Sequence, residues 1–246
     1  MSLVDTFVNE NLDARAARRL ARLLNPAPAF LAHRPGSSDR PAVERYIAEQ
    51  FRAVHAATIH DFMPVLLTMG CHGNIAAATG VRAAAQPLFL EQYLAQPVES
   101  ALRPLAGRAV ERRRVAEIGN LVATQGGSSY LLFMVLTAVL QQAGFEWVVF
   151  TATPQVRKAL RCLGLPTHAL CDADPSRLTQ SNAAEWGRYY RTKPKVVAGR
   201  VTDAMDVLTQ RKLYASVLSL FRNPISELAE IVCRESFQRG TFTLAA

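Results

Sequence analysis

Apolar residues recur at helical spacing near both ends of the chain and form strand-like runs in its middle. The first helical pattern predicts a helix over Asn11–Leu24. Its apolar positions are Leu12, Ala16, Leu20 and Leu23. Its polar positions are filled by Arg15, Arg18, Arg19 and Arg22. Such a basic face is typical of a solvated terminal helix, and it also suits an arm that meets an acidic protein or a lipid surface.

A loop, a helix and a hairpin are predicted next. Asn25–Pro41 is rich in Pro, Gly and Ser, which indicates a linker. Pro41 then opens a predicted helix that continues through Ala57. Two apolar runs follow, Phe62–Met69 and Ile75–Ala84, and the turn residues between them predict a β-hairpin.

The second half of the chain alternates predicted strands and helices. The predicted strands are Val115–Ala123, Phe145–Thr153, Thr167–Ala173 and Lys195–Val201. The predicted helices are Ser128–Ala143 with Ser128 as N-cap, Pro154–Leu163, Asp206–Phe221 and Pro224–Phe237. A hairpin followed by strand–helix units is typical of an α+β, or mixed α/β, layered protein.

The composition indicates a large core and an anionic partner. Half of the 246 residues are apolar, and the formal net charge is +8. Anionic lipid, a nucleotide-bearing cofactor and an acidic carrier protein all fit this charge. Nucleic acid ranks last, because the basic residues are dispersed and no recognised reading motif is present.

The cysteines and the apolar runs suggest a compartment. The four cysteines form no CxxC pair, which favours thiols in a reducing environment. The first residues carry acids and lack the apolar stretch of a secretory signal. The longest apolar run, Tyr130–Leu140, is too short to cross a bilayer. We therefore expect a cytoplasmic protein that can also contact an anionic membrane peripherally.

One strand–turn–helix unit carries the candidate chemistry. Glu117 is an acid within an otherwise apolar strand, and burial there would raise its pKa towards the range useful for a general base. The glycine turn Gln125, Gly126, Gly127, Ser128 and Ser129 precedes the buried helix. Backbone N–H groups at a helix start can hold a phosphate, although a plain turn is the alternative.

Several motifs in order resemble the bacterial thermostable hemolysin family. They are GVR at 80–82, PLFLEQYLAQPVE at 87–99, EIGNLVA at 117–123, WVVFTAT at 147–153 and WGRYY at 186–190. That family is similar to the acyl-homoserine-lactone synthases and the GNAT N-acyltransferases. The resemblance implies a GNAT-like fold with a central mixed sheet flanked by helices. It also implies three parts: residues 1–40 as a basic helix and linker, 41–203 as the acyltransferase domain, and 204–246 as a helical extension.

The resemblance also implies roles for several residues. Arg82 and Glu117 match the Arg and Glu that frame the site of the lactone synthases. Asn120 replaces the Arg of the second motif, which argues against a simple lactone synthase, and we place it with Glu117 as a catalytic candidate. The glycine turn matches the pyrophosphate turn of GNAT enzymes in placement but not in spacing. It therefore favours an acyl-carrier protein over free CoA as donor.

Other site residues have competing interpretations. Arg82 is a candidate anchor for a substrate carboxylate, or an ion-pair partner of Glu117 or Glu91. The aromatic residues Trp186, Tyr189 and Tyr190 line a substrate pocket or simply pack over the core. A carrier-docking surface is predicted at Arg112, Arg113 and Arg114, with Arg157 and Lys158 as additional candidates, and solvated charge is the alternative. We predict no metal site.

The expected function is N-acyl transfer. A fatty acyl group would pass from a phosphopantetheine thioester, on acyl-carrier protein or CoA, to the amine of an amino acid or another small amine. Two alternatives remain: a membrane-active, lipid-binding protein and a non-catalytic module that binds acyl carrier. The amine, the acyl chain length and the oligomeric state do not follow from the sequence.

Overall fold

The computed structural model of the protein describes residues 24–25, 27–125, 127–178 and 184–237. The strands are β1 (Ala29–His33), β2 (Val65–Cys71), β3 (Asn74–Ala83), β4 (Val115–Ala123), β5 (Trp147–Ala152), β6 (His168–Asp172) and β7 (Lys195–Arg200). The helices are α1 (Arg40–His55), α2 (Val98–Ala106), α3 (Ser128–Gln142), α4 (Pro154–Leu163), α5 (Val201–Gln210), α6 (Lys212–Leu220) and α7 (Arg222–Phe237). The predicted helix over Asn11–Leu24 lies, except for its last residue, outside the described residues.

The predicted linker Asn25–Pro41 is wrong over Ala29–His33, which forms the edge strand β1. Phe30 packs in the core, and the His33 ring nitrogen Nε2 is 2.9 Å from the Thr68 hydroxyl on β2. The linker was predicted because the segment is rich in proline. Proline is tolerated next to a strand whose outer edge has no sheet partner.

All seven strands of the described chain join one mixed sheet, in the order β1-β2-β3-β4-β5-β7-β6. Every neighbouring pair is antiparallel except β4 and β5, which are parallel. The predicted hairpin is confirmed as β2 and β3. The parallel pair needs a crossover, and α3, which the sequence predicted between these two strands, supplies it.

Helices α3 to α7 contribute to the main core on one face of the sheet. Helix α3 is buried along most of its length, from Leu131 to Leu140. The C-terminal helices contribute Leu208, Val217 and Val232 to the same core. In the described residues these helices are therefore part of the layer that covers the sheet.

The opposite face carries two separate apolar clusters. One lies under α1 and contains Val43, Ile47 and Leu66. The other lies under α2 and a short 3₁₀ helix, Phe89–Tyr93, and includes Val149 of β5. The space between these clusters forms the cleft described below.

Strands β4 and β5 diverge at the middle of the sheet. Their parallel pairing covers only Val115–Ile118 against Trp147–Phe150, although both strands continue. A bulge interrupts β4 at this point, because Asn120 and Leu121 together oppose the single residue Thr79 of β3. The facing strand edges beyond Ile118 and Phe150 thus carry backbone N–H and C=O groups without a sheet partner.

Candidate active site

A cleft of about 420 Å³ opens where β4 and β5 diverge. Its lining brings together six of the residues singled out in the sequence: Arg82, Glu117, Asn120, Trp186, Tyr189 and Tyr190. They come from β3, β4 and the segment before β7, which are far apart along the chain. The cleft extends along the divergence to the first turn of α4.

Glu117 is a buried carboxylate held in a defined orientation. Its side chain is only 3% exposed. Its two oxygens accept hydrogen bonds from the backbone N–H groups of Leu90 at 2.9 Å and Phe89 at 3.1 Å. Burial raises the pKa of Glu117 above its usual value, and these two hydrogen bonds and the charge of Arg82 oppose the rise. Raised affinity for a proton is the property that a general base requires.

Arg82 lies directly opposite Glu117 in the register of β3 and β4. The guanidinium lines the cleft and forms no ion pair or hydrogen bond with the described residues. Its partial exposure distinguishes it from a buried structural arginine such as Arg40, which donates to the carbonyls of His33, Met63 and Pro64. Arg82 is therefore free to bind an anionic group.

The 3₁₀ helix that orients Glu117 is itself anchored by Arg112. The Arg112 guanidinium donates to both oxygens of Glu91, at 2.6 and 2.7 Å, and to Glu99 at 2.7 Å. Glu91 also accepts from the backbone N–H groups of Leu88 and Val98. Arg112 thus stabilises the segment that carries the two amides bound to Glu117.

The neighbouring arginines are paired as well. Arg113 contacts Glu111, and Arg114 binds Glu111 at 3.0 Å and Glu146 at 3.1 Å. The three arginines predicted to dock a carrier protein therefore already form ion pairs with acidic side chains of the same chain. None of the three lines the cleft.

Asn120 fixes a loop at the mouth of the cleft. Its backbone adopts φ 50°, a left-handed conformation that asparagine tolerates and that the bulge requires. Its side-chain oxygen accepts from the Met63 N–H at 2.9 Å, and its amide nitrogen donates to the Asp61 carbonyl at 3.2 Å. The side chain is therefore engaged in positioning residues 61–63.

Two glycines leave room for this loop. Gly80 and Gly119 are paired across β3 and β4, and the Met63 side chain lies over both. A Cβ at Gly80 would lie 2.6 Å from Met63, and one at Gly119 would lie 2.5 Å from it. The glycines of the GVR and EIGN motifs thus permit close packing of the loop onto the sheet.

An aromatic wall forms the side of the cleft opposite the strands. It comprises Phe51, Phe89, Tyr93, Trp186, Tyr189 and Tyr190, whose neighbouring ring centroids are 5.1 to 6.5 Å apart. The hydroxyls of Tyr93 and Tyr190 are hydrogen-bonded to each other. Burial raises the pKa of Tyr190 to about 12, so this hydroxyl stays protonated at neutral pH. The third hydroxyl of the wall, that of Tyr189, donates to the Thr151 carbonyl at 3.4 Å, so the wall offers apolar surface with three polar hydroxyls.

His55 belongs to the same wall and was not singled out from the sequence for this role. Its ring contacts Tyr189 at 5.1 Å, and its carbonyl accepts from the Arg188 N–H at 2.6 Å. Burial, and then the charge of Arg188, lower the pKa of His55, so the imidazole is neutral at neutral pH. No sequence signal connects His55 with Tyr189, because the contact exists only in the folded chain.

The described residues of the glycine turn, 125 and 127–129, lie outside the cleft lining. The N-cap of α3 is Gly127, at φ 93°, and Ser128 is the first helical residue, so the prediction of Ser128 as N-cap is wrong. Glycine adopts this left-handed conformation without strain. The Ser128 hydroxyl donates to the Gln125 carbonyl at 2.6 Å. Gly126 lies outside the described residues. Ser129 follows within the first turn of α3, and phosphate binding by this turn stays a prediction.

The described residues contain no group of three or more His, Cys, Asp or Glu side chains that could hold a metal. Phe89 and Tyr93 also line the cleft and are not among the site residues predicted from the sequence. Both lie within the PLFLEQYLAQPVE motif, which was the one available signal for them. Among the described helices, none has the length and apolar character needed to span a membrane.

Comparison with known proteins identifies the family and the fold. The sequence profile of the thermostable hemolysin family matches residues 33–205. No curated protein matches the chain. The solved structure of the acyl-homoserine-lactone (AHL) synthase LasI superposes with a TM-score of 0.52 at 11% identity, covering 75% of this chain and 95% of that one.

Two further structures are similar at lower scores. FeeM, an N-acyl amino acid synthase from uncultured soil microbes, has a TM-score of 0.48 at 12% identity, covering 72% of this chain and 95% of its own. MesI, a CoA-dependent acyl-homoserine lactone synthase, has a TM-score of 0.46 at 12% identity, covering 74% and 94%. The seven-stranded mixed sheet flanked by helices is GNAT-like, as the resemblance implied.

Proposed function

The chain belongs to the thermostable hemolysin family, and from that premise and the geometry of the cleft we propose that it is an N-acyltransferase. The acyl donor is a phosphopantetheine thioester carried by acyl-carrier protein or CoA. The acceptor is the amine of an amino acid or a related small amine. The amine nitrogen forms an amide bond with the acyl carbon, the C–S bond breaks, and the thiol leaves with the proton taken from nitrogen.

One observation carries the proposal. The buried Glu117 carboxylate and the unpaired Arg82 guanidinium lie side by side in a cleft that follows the divergence of β4 and β5. An acid with a raised pKa can take a proton from an attacking amine. A free guanidinium next to it can hold the carboxylate of the same acceptor molecule.

The divergence suits the donor arm. Pantetheine is a narrow chain with two amide groups, and such a chain can pair with exposed strand edges as an added strand would. The backbone groups beyond Ile118 and Phe150, which have no strand partner across the divergence, provide those edges, and the Thr151 carbonyl among them accepts from the Tyr189 hydroxyl at 3.4 Å. Backbone N–H groups there can also polarise the thioester carbonyl as negative charge develops on its oxygen.

The aromatic wall suits the acceptor. Trp186, Phe89 and Tyr190 are partly exposed and face the same cleft as Arg82. With the acceptor carboxylate bound to Arg82, an apolar side chain lies against these rings. We therefore assign Arg82 and the wall to the acceptor, Glu117 to proton transfer, and Asn120 to positioning the loop 61–63.

The test uses the full chain with acyl-carrier protein and acyl-CoA donors of several chain lengths and a panel of amino acids. Thiol release is followed colorimetrically and the product by mass spectrometry. We expect amine-dependent thiol release matched by an N-acyl product. Donor binding without thiol release in the presence of any amine would contradict catalysis and favour a non-catalytic carrier-binding module.

A further inference from the structure

A second concave site lies on the other side of α4 from the cleft. This groove, of about 490 Å³, is formed by α4 and by the neighbouring strands β6 and β7. Arg157 and Arg161 line one wall, Thr167 lies at the end of the loop that follows α4, and Ala169 and Val197 form an apolar floor. Nothing in the proposed chemistry of the cleft uses these residues.

Both arginines lack partners. Neither side chain forms an ion pair or a hydrogen bond with the described residues, and α4 itself contains no acid. The Nε atom of Arg157 is buried and has no hydrogen-bond acceptor. A buried N–H without an acceptor is costly, and like charges one helical turn apart repel each other. A bound anion would relieve both costs at once.

Arg157 and Arg161 differ in this respect from Arg112, Arg113 and Arg114. Those three arginines are neutralised by acids of the same chain. Arg157 and Arg161 are not, although they are also close together in sequence. Two guanidinium groups on one wall match the several oxygens of a phosphate, which accept bidentate hydrogen bonds from arginine.

We propose that the α4 groove binds a phosphate of the acyl donor through Arg157 and Arg161, an inference that rests on the proposed function. Residues of the first turn of α4 border both cavities: Thr153 and Val156 line the cleft, and Pro154 and Arg157 line the groove. A phosphopantetheine arm that leaves the cleft at the first turn of α4 presents its phosphate to Arg157, and this placement replaces the glycine turn before α3 as the phosphate site. The phosphate belongs either to the serine linkage of a carrier protein or to CoA.

The test compares Arg157→Gln/Arg161→Gln with a control of equal charge change, Arg103→Gln/Arg234→Gln. The control arginines are exposed on α2 and α7, away from the groove. Steady-state kinetics use acyl-pantetheine, which lacks phosphate, then acyl-4′-phosphopantetheine, acyl-CoA and acyl-carrier protein. Calorimetry measures the binding of 4′-phosphopantetheine to each full-length protein without requiring turnover.

We expect KM to rise about tenfold or more for the donors whose phosphate reaches the groove, with KM for acyl-pantetheine and kcat unchanged. A rise for acyl-4′-phosphopantetheine and acyl-CoA without a rise for acyl-carrier protein identifies CoA as the source. A rise for acyl-4′-phosphopantetheine and acyl-carrier protein without a rise for acyl-CoA identifies the carrier. Equal KM changes for all four donors, or unchanged 4′-phosphopantetheine binding in the groove variant, would overturn the inference. Turnover of acyl-pantetheine by that variant would still support N-acyl transfer, so the two proposals fail separately.

Discussion

Replacing Glu117 with glutamine changes one oxygen of a buried carboxylate into an N–H donor and removes the negative charge. The carboxylate now accepts from two backbone N–H groups, those of Phe89 and Leu90. Glutamine has one acceptor oxygen, so one of these N–H groups meets the new amide nitrogen. Loss of a positioned general base lowers a rate by about 10²–10⁴-fold, and an unsatisfied buried N–H costs about 1–3 kcal/mol of unfolding free energy.

The two effects are separated by pH. The raised pKa of Glu117 means that the wild-type rate increases with pH along a limb above the usual carboxyl range, and Glu117→Gln lacks that limb. The folded protein also binds this proton more tightly than the unfolded chain does. The wild-type free energy of unfolding therefore falls as pH rises from the ordinary glutamate pKa to the raised one, and the variant shows no such fall.

The assay combines single-turnover thiol release across pH with urea unfolding of the same proteins. Glu185→Gln is the matched control, because Glu185 is an exposed acid that lines the same cleft. We expect the control to retain its rate and its pH limb. A Glu117→Gln protein that keeps the wild-type rate, or that loses stability but keeps the limb, would refute the assignment of Glu117 as the base.

Three further substitutions probe the framework of the site. Asn120→Ala removes two hydrogen bonds to the loop 61–63 and strains a left-handed backbone, so we expect a loss of about 1–3 kcal/mol in urea unfolding, with Asn120→Gly relieving only the strain. Arg112→Met leaves Glu91 without its main partner. Arg112 holds the pKa of Glu91 at about 2. The pair therefore adds to the wild-type free energy of unfolding above the ordinary glutamate pKa, and this contribution is lost as pH falls towards 2. Unfolding measured across this acid range should show no such loss in the variant. Gly187→Ala places a Cβ 2.4 Å from a backbone carbonyl, at a residue with φ 52°. The control is Gly36→Ala, where φ is 85° and the new Cβ has no atom within 4 Å. Thermal unfolding should therefore show a larger decrease in Tm for Gly187→Ala than for Gly36→Ala.

The sequence predicted the elements whose signal is local. The hairpin β2–β3, the buried helix α3 and the capped helix α4 follow from periodicity and from turn residues, and each forms where expected. The sequence placed Arg82 and Glu117 in one site, and the register of β3 and β4 puts them opposite each other, although the ion pair weighed as an alternative for Arg82 does not form among the described residues. Edge strand β1 was not predicted, because prolines flank it and a proline-rich composition also indicates a linker.

Other features depend on contacts between distant residues. The pairing of Arg112 with Glu91 requires the 3₁₀ helix to fold back beside β4, so a run of three arginines gave no sign of being neutralised. The bulge at Asn120 depends on the register of β3 against β4, since neither strand alone reveals an extra residue. His55 and Tyr189 meet only when α1 and the WGRYY segment pack together.

The short pairing of β4 with β5 has a mechanical consequence. Only four residue pairs join strands β1–β4 to strands β5–β7 across this seam. On the proposed function, a bound pantetheine chain would continue the seam and act as a removable eighth strand. Donor binding would then slow hydrogen exchange of the backbone amides of Leu121 and Thr151 on both sides of the seam. The pantetheine arm of the bound donor would in this way become part of the central β-sheet.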